Sequence, residues 1–238
     1  MPVLDPEPFL PDLVRRIQAA GLKRVVVVDD GSAARYRSVF RSLPSGSVVL
    51  RHCTNAGKGT ALKTGLRHVL TQIPDANGVV TADGDGQHLP DDIRAVANVL
   101  AEPSPQLVLG TRDLGGDVPW RSRLGNRCAS VTFRLLTGCA VADTQSGLRG
   151  LPRTLLNAVL TVPGDRYEFE LNMLLWAVAA GVPIHHVSIR TVYKEGNRTS
   201  HFRPVRDSLT VYEAFLHFVL TRGRGGRPAA ASDEEARS

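Results

Sequence analysis

The chain of 238 residues has few cysteines, few aromatic residues and no long apolar run. Its three cysteines, Cys53, Cys128 and Cys139, form no CxxC pair, which excludes a disulfide framework and a zinc site and predicts buried structural thiols. The longest apolar stretch, 171–182, is shorter than the ~18 residues of a membrane-spanning helix. Because the first residues carry acids and prolines rather than a basic and then apolar leader, we expect a cytoplasmic protein.

Charge narrows the choice of partner. The 29 Lys and Arg against 23 Asp and Glu give a net charge of +6, which favours an anionic partner such as a nucleic acid, an acidic lipid or a nucleotide sugar. Aromatic residues make up only 5% of the chain, and no basic stripe alternates with them, so we expect no nucleic acid partner. A nucleic-acid-binding or regulatory module is the non-enzyme alternative, and this composition disfavours it.

The hydrophobic pattern alternates short β-branched runs with amphipathic stretches. This pattern predicts the α/β class, with a mostly parallel central sheet and helices on both of its faces. Buried strands are expected at 25–28, 47–50, 79–81 and 107–110, and helices at 10–20, 33–43, 59–71 and 90–100.

Beyond residue 112 the predicted elements are longer: helices at 123–136, 168–180 and 205–220, and a strand at 184–193. We predict one domain over 1–221, with a nucleotide-sugar-binding half at 1–112 and an acceptor-side half at 113–221. The segment 222–238 is rich in Gly, Arg, Ala and acids, and we expect it to be disordered because it cannot bury a core.

Polar motifs follow the first two strong strands. Asp29 and Asp30 precede Gly31 at the carboxyl edge of the predicted sheet, where such sheets bind ligands. Lys58, flanked by two glycines, opens the next helix and could face an anion. The alternatives are a capped strand end and a glycine-rich helix start with a solvated lysine.

The third strand ends in Thr-Ala-Asp-Gly-Asp-Gly-Gln-His at 81–88, the strongest signal in the chain. Asp83 and Asp85 are two apart in an extended segment and so lie on one side, with Gly84 between them leaving room for an ion. Two carboxylates suit Mg²⁺ or Mn²⁺. No later EF-hand ligands follow, which disfavours a calcium loop, and a plain acidic turn is the remaining alternative.

Together these three segments resemble the family 2 glycosyltransferases, and within them the dolichyl-phosphate mannosyltransferases and the bacterial polyprenyl-phosphate glycosyltransferases. The segments 110–112, 143–149, 167–170 and 196–207 agree, so that the resemblance covers roughly 2–215. It implies a glycosyltransferase A-type Rossmann-like fold and the metal-dependent transfer of a hexose from a nucleotide-diphosphate sugar. A non-lipid acceptor and a metal-dependent nucleotidyltransferase are the alternatives.

The resemblance also implies roles for single residues. For donor binding these are Asp29, Asp30, Lys58, Asp83 and Arg112, and the metal ligands are Asp83, Asp85 and Gln87. His88, next to Gln87 in the sequence, is a candidate for supporting a metal ligand, on its position alone.

On the acceptor side, the resemblance implies a lipid phosphate at the inner face of a membrane, where the enzyme would dock peripherally. The candidates for catalysis are Asp143, Asp85 and Arg149. Near the acceptor the family has an arginine followed by Gly-x-Ser-Lys, and this chain departs from that pattern, so we expect Arg198, His201 and Arg203 to bind the acceptor in its place. Glu168 and Glu170 are weaker candidates, for which we favour the role of acids in the first turn of a helix.

The family's first strand runs through the middle of the sheet, and here only the residues at 1–4 correspond to its end. We therefore expect one of two arrangements: the native protein begins upstream of Met1, which we favour, or the short segment pairs with part of the neighbouring strand and the pocket for the nucleotide base is half open. Without that strand, neighbouring backbone groups would lack partners.

Overall fold

The computed structural model describes residues 1–102, 106–112, 120–190 and Phe215, and at 120–124 the backbone only. The strands are β1 (Pro2–Val3), β2 (Val25–Asp29), β3 (Ser47–Arg51), β4 (Gly78–Thr81), β5 (Leu107–Arg112), β6 (Arg149–Pro152) and β7 (Ile184–Ile189). The helices are α1 (Leu10–Ala19), α2 (Arg37–Arg41), α3 (Lys58–Gln72), α4 (Pro90–Leu100), α5 (Trp120–Thr137), α6 (Arg153–Thr161) and α7 (Glu168–Ala179), with a 3₁₀ turn at Ala34–Tyr36 before α2.

The described strands form two hydrogen-bonded groups. One has the order β1-β2-β3 and is parallel throughout; the other has the order β4-β6-β5-β7, in which only β6 runs against its neighbours. The predicted mostly parallel α/β architecture is confirmed. Because β6 and β7 from the later part of the chain pair with β4 and β5, the two predicted halves share a sheet.

Alternation along β5 places a hydrophobic core on each face of the sheet. Leu107 and Leu109 belong to a core with α3, α5, α6 and α7, whereas Val108 belongs to a core with α1, α2 and α4. Successive side chains of a strand point to opposite faces, which is why one strand serves both cores. Helices cover both faces, as the sequence predicts.

Several local expectations are wrong. The strand at 47–50 is half-exposed rather than buried, and Val49 is 40% exposed. The helix expected at 33–43 is shortened to α2 and its 3₁₀ turn. Of the cysteines, Cys53 and Cys128 are exposed and Cys139 is partly exposed, so none is a buried thiol, although all three are free.

A cleft of about 310 Å³ lies between β2 and β4. β1 fills one end of it with two residues paired to β2, and among the described strands β4 is bonded to β6 alone. The cleft is lined mainly by apolar residues of β2, α3, β4 and α4, and it ends at Thr81 and Ala82, before the acidic pair. It is a gap in the core and lies apart from the candidate site.

The α-amino group of Met1 reaches into this region and donates to the Val26 carbonyl at 2.8 Å. Burial lowers the pKa of this amino group to about 6, although the nearby Asp83 carboxylate acts in the opposite direction. The segment at the amino terminus is thus held as a short strand beside β2.

The predicted helix at 205–220 lies outside the described residues except for Phe215, which is helical and packs in the core of α3 and α7. The expected tail at 222–238 and the last residues of the strand predicted at 184–193 also lie outside them. Among the helices that the structure describes, none is long and apolar enough to cross a bilayer.

Candidate active site

The loops after β2 and β3 are tied together by Asp30. Its carboxylate accepts the backbone N–H groups of Ala56 at 2.9 Å and Gly57 at 2.8 Å, and it lies 2.7 Å from Nδ1 of His52. Asp30 is 4% exposed. Because two of these partners are backbone N–H groups directly before Lys58, Asp30 fixes the loop that presents Lys58. The direct contact of Asp30 with a donor stays a prediction.

Asp29 is equally buried. Its Oδ1 accepts the backbone N–H of Ser32 at 2.8 Å, and its Oδ2 lies 3.3 Å from Nε of Arg51. These contacts close the turn after β2, where Gly31 has a φ of 83°. The role of Asp29 in donor binding also stays a prediction.

A close backbone approach brings the start of α3 against the segment before α7. Gly57 has a φ of 103°, and a Cβ atom there would lie 2.3 Å from the carbonyl oxygen of Asp165. A side chain at Gly57 is thus excluded both by conformation and by space. This approach lets Lys58, at the first position of α3, reach acidic side chains from two other parts of the chain.

Lys58 bridges two carboxylates. Its Nζ lies 2.8 Å from Oδ1 of Asp83, after β4, and 2.8 Å from Oε2 of Glu170, in the first turn of α7. The ring of Tyr167 lies 5.7 Å from the same nitrogen, within the range of a cation–π contact. Lys58 and Asp83, which follow different strands, are therefore in direct contact.

The charge states of this cluster follow from its contacts. Burial alone would raise the pKa of Asp83, but the Lys58 ammonium and His88 hold it well below its usual range. Burial would likewise lower the pKa of Lys58, but Asp83 and Glu170 raise it well above its usual value. Burial, and then the charge of Asp83, raise the pKa of Asp85. The neighbouring ammonium of Lys58 therefore favours the ionised form of Asp83.

The oxygen atoms of the acidic segment suit a hard divalent ion whose coordination is completed by a bound phosphate and by water. Asp83 and Asp85 supply carboxylate oxygens, and Asp85 also accepts the backbone N–H of Gln87 at 3.0 Å. Nε2 of His88, buried 3.6 Å from Oδ2 of Asp83, has no hydrogen-bond partner among the described atoms. Across the described parts of the chain no three His, Cys, Asp or Glu side chains form a ready-made metal cage. Mg²⁺ and Mn²⁺ commonly complete such shells with phosphates and water.

Two glycines shape the acidic segment. A Cβ at Gly147 would lie 2.5 Å from Oδ2 of Asp83, so the turn before β6 packs directly on that carboxylate. A Cβ at Gly84 would lie 2.7 Å from Cγ2 of Val3. Gly84 therefore makes room for β1, and the expectation that it also leaves room for an ion stays a prediction.

Arg112, at the end of β5, is held by Asp143. Nε of Arg112 lies 2.6 Å from Oδ2 of Asp143, and Nη2 lies 2.9 Å from Oδ1. Asp143 also accepts the backbone N–H of Gln145 at 3.1 Å and is fully buried. The geometry makes Asp143 an anchor for Arg112, while its predicted part in catalysis stays a prediction.

Arg149 is fully buried at the start of β6. Its guanidinium donates to the carbonyl oxygens of Ser146 and Glu170, and its Nη2 has no hydrogen-bond partner among the described residues. Burial lowers its pKa, and the charges of Glu170, Asp143 and Asp83 act in the opposite direction. Arg149 thus lies behind the acidic cluster and supports the start of α7. Its predicted role in catalysis stays a prediction.

Glu170 combines its predicted position with a partner that the sequence did not indicate. It is an acid of the first helical turn, as expected, but it is buried and paired with Lys58. Its position beside Phe169, which is fully buried, was the available signal. The predicted acceptor residues Arg198, His201 and Arg203 lie outside the described residues.

Comparison with known proteins gives one family match. The sequence profile of "Glycosyl transferase family 2" matches residues 1–160. A UDP-N-acetylglucosamine–dolichyl-phosphate N-acetylglucosaminyltransferase of Methanococcus voltae is 29% identical over 215 residues, covering 82% of this chain and 85% of that protein. An undecaprenyl-phosphate 4-deoxy-4-formamido-L-arabinose transferase of Pseudomonas aeruginosa is 28% identical over 204 residues, covering 82% of this chain and 56% of that protein.

A solved structure has the same fold. The glucosyl-3-phosphoglycerate synthase of Mycobacterium tuberculosis, in complex with Mn²⁺, UDP and glucosyl-3-phosphoglycerate, superposes with a TM-score of 0.67. The match covers 93% of this chain and 77% of that one, at 22% identity. This likeness supports the predicted glycosyltransferase A-type architecture.

Proposed function

The chain belongs to glycosyl transferase family 2 and is a glycosyltransferase, and on that premise we propose that it transfers a hexose from a nucleotide-diphosphate sugar to a polyprenyl-phosphate lipid, with Mg²⁺ or Mn²⁺ as cofactor. The observation that carries the proposal is the Asp83 carboxylate 2.8 Å from Nζ of Lys58, with Asp85 two residues further, at the edge where the strands end. Two family relatives are named for lipid-phosphate acceptors, which supports the acceptor class.

In the proposed donor site, basic side chains face the diphosphate and acidic side chains hold the metal ion. Lys58 and Arg112 offer cations to a diphosphate, and Asp143 fixes the direction of the Arg112 guanidinium through two hydrogen bonds. Asp83, Asp85 and Gln87 would hold the divalent ion, which when bound neutralises the charge that grows on the diphosphate as the sugar leaves. The neighbour structure with Mn²⁺ and UDP supports this choice of cofactor and donor class.

The proposed acceptor needs little proton chemistry. A phosphate monoester carries close to two negative charges near neutral pH, because its second pKa is about 6. One of its oxygens would form the new bond to the anomeric carbon as the bond from that carbon to the nucleoside diphosphate breaks. No proton has to leave the nucleophile, so the reaction does not require a dedicated general base.

The acceptor also places the reaction at a membrane. A polyprenyl phosphate is held in the bilayer by its hydrocarbon chain, so the enzyme must approach the surface, and we propose peripheral docking at the cytoplasmic face. The net charge of +6 supports attraction to an anionic leaflet.

The test is a transfer assay with purified protein. UDP-glucose, UDP-N-acetylglucosamine and GDP-mannose are each supplied with Mg²⁺ or Mn²⁺ and with undecaprenyl phosphate in detergent micelles, and sugar-linked lipid is measured by mass spectrometry. We expect product with at least one donor and none in excess EDTA. Transfer to 3-phosphoglycerate but not to the lipid would favour the non-lipid alternative and overturn the proposed acceptor.

A further inference from the structure

We propose that Lys58 is the resident cation of the acidic pair, that it competes with the divalent ion for Asp83, and that Glu170 receives it when the ion binds. The inference rests on the proposed function for the presence of a metal at Asp83 and Asp85. It adds that the movement of Lys58 from Asp83 to Glu170 couples metal binding to donor binding, so that each strengthens the other. Glu170 acts as a positioning residue for Lys58.

The first step is the position of the ammonium. Nζ of Lys58 lies 2.8 Å from Oδ1 of Asp83, the hydrogen-bonding distance of a charge-assisted pair. A Mg²⁺ ion on that carboxylate would lie about 2.1 Å from its oxygen. Two cations would then share one carboxylate in a site where the Lys58 side chain is only 17% exposed. Their repulsion is poorly screened there, so the ammonium of Lys58 weakens the binding of the ion to Asp83, and the ion weakens the pairing of Lys58 with Asp83.

The second step is that Lys58 has another anion within reach. Oε2 of Glu170 already lies 2.8 Å from the ammonium, and the Glu170 side chain is 8% exposed. Its other oxygen, Oε1, is buried with no hydrogen-bond partner among the described atoms. Lys58 can therefore leave Asp83 and remain paired, since Glu170 has unused acceptor capacity.

The third step is that Glu170 is held in place. The Arg149 guanidinium donates to the Glu170 backbone carbonyl, and the neighbouring Phe169 is fully buried. Glu170 thus offers a fixed alternative position to the ammonium. When paired with Glu170 alone, the ammonium of Lys58 remains available to a phosphate of the donor.

The consequence is a coupling between two ligands. In the free enzyme, Lys58 lowers the affinity of the acidic pair for a divalent ion. A diphosphate donor adds negative charge that attracts both cations, so the presence of donor strengthens metal binding, and the reverse must hold to the same extent.

The experiment measures Mn²⁺ binding to the intact protein by electron paramagnetic resonance, without donor and then with UDP. Lys58→Met should bind Mn²⁺ alone at least about tenfold more tightly than wild type, the lower end of what one neighbouring charge does to a carboxylate. The strengthening of Mn²⁺ binding by UDP should shrink in the same variant. Arg67→Met is the matched control: Arg67 is on the same helix with an exposed side chain, and its replacement should leave Mn²⁺ affinity unchanged.

Glu170→Gln supplies a second, opposite readout. An amide holds an ammonium less well than a carboxylate does, so Lys58 should stay on Asp83 and Mn²⁺ affinity should fall severalfold. When Glu170→Gln is combined with Lys58→Met, it should no longer lower Mn²⁺ affinity, because no lysine is present to pair with residue 170. Thermal melts confirm folding, and Lys58→Gln replaces Lys58→Met if the latter does not fold.

Unchanged or weaker Mn²⁺ binding in the Lys58 variants, in a wild type that binds Mn²⁺, would overturn this inference and leave the proposed function standing. Normal sugar transfer by wild type in excess EDTA would overturn the metal dependence, and this inference with it. The two failures are therefore distinguishable.

Discussion

Arg112 and Asp143 are joined by two parallel hydrogen bonds, from Nε to Oδ2 at 2.6 Å and from Nη2 to Oδ1 at 2.9 Å. The carboxylate is fully buried, whereas the guanidinium side chain is 16% exposed. The pair therefore has an inner, fixed member and an outer member that can meet a ligand. This asymmetry supports a positioning role for Asp143, and the predicted contact of Arg112 with the donor stays a prediction.

Asp143→Asn tests that division of roles. The substitution keeps the shape of the side chain but removes the counter-ion of Arg112, and breaking a buried pair costs about 3–5 kcal/mol. Because Arg112 is partly exposed, we expect a loss near 2–3 kcal/mol in the free energy of unfolding, measured in urea. Donor affinity should fall as well.

The control for this prediction is Asp91→Asn. Asp91 lies 3.6 Å from Arg190 in a pair whose side chains are both exposed, and its loss should change stability by less than about 0.5 kcal/mol. If Asp143→Asn left stability intact and reduced turnover alone, Asp143 would act in the reaction itself.

Asp85→Asn tests the metal assignment. It removes one charge from the acidic pair, so Mn²⁺ affinity and turnover should each fall by about 100-fold or more. Without metal the variant should melt at the wild-type temperature or above it, because burial and the charge of Asp83 already disfavour ionised Asp85. Asp75→Asn, at an exposed aspartate paired with Arg24, is the control. Wild-type turnover in Asp85→Asn would contradict the assignment.

Gly147→Ala tests the packing of the turn on Asp83. A Cβ there would lie 2.5 Å from Oδ2, the end of a side chain that can rotate, so the carboxylate should move while the fold is kept. We expect weaker Mn²⁺ binding, measured by titration, and a small change in melting temperature. In contrast, a Cβ at Gly125, on α5, meets nothing within 4 Å, so Gly125→Ala should leave Mn²⁺ binding intact. Equal binding in both variants would show that the contact is unimportant.

Two glycines of α3 give a stability test of the cleft. A Cβ at Gly65 would lie 3.4 Å from Cγ2 of Val28, an ordinary contact, and Gly65 lines the cleft. Gly65→Ala should therefore stabilise the protein by about 0.5–1 kcal/mol, the gain of alanine over glycine inside a helix.

Gly59→Ala should do the reverse. Its Cβ would lie 2.7 Å from Cβ of Phe169 and 2.8 Å from the backbone of Asp165, so we expect a loss of about 1–3 kcal/mol. Chemical denaturation of both variants decides the matter, and a loss at Gly65 would mean that the cleft has no room on that side.

The elements found from sequence are those whose pattern is local. The strands at 25–28 and 107–110 are continuous apolar runs, and the helix at 59–71 has a clear 3.6-residue period, so each is found close to its predicted place. β6 and α6 were not predicted. β6 has four residues and lies antiparallel between β4 and β5, so its existence depends on partners distant in sequence.

The same distinction applies to the site. Asp83 and Lys58 could be named from sequence because each follows a strand, and parallel strands end at one edge. The partner of Lys58 on its other side, Glu170, is 112 residues away, and the pairing arises from the close approach of backbones at Gly57. No periodicity or spacing could indicate that approach.

The sequence by itself therefore determined the α/β class, the positions of the main strands along the chain and the edge at which the acidic and basic motifs gather, because each depends on local hydrophobic periodicity and on the direction of parallel strands. Only the tertiary structure decided which charges are partners. Burial and distance set that choice: Asp143 lies under Arg112, Arg149 lies behind Glu170, and Lys58 lies between Asp83 and Glu170.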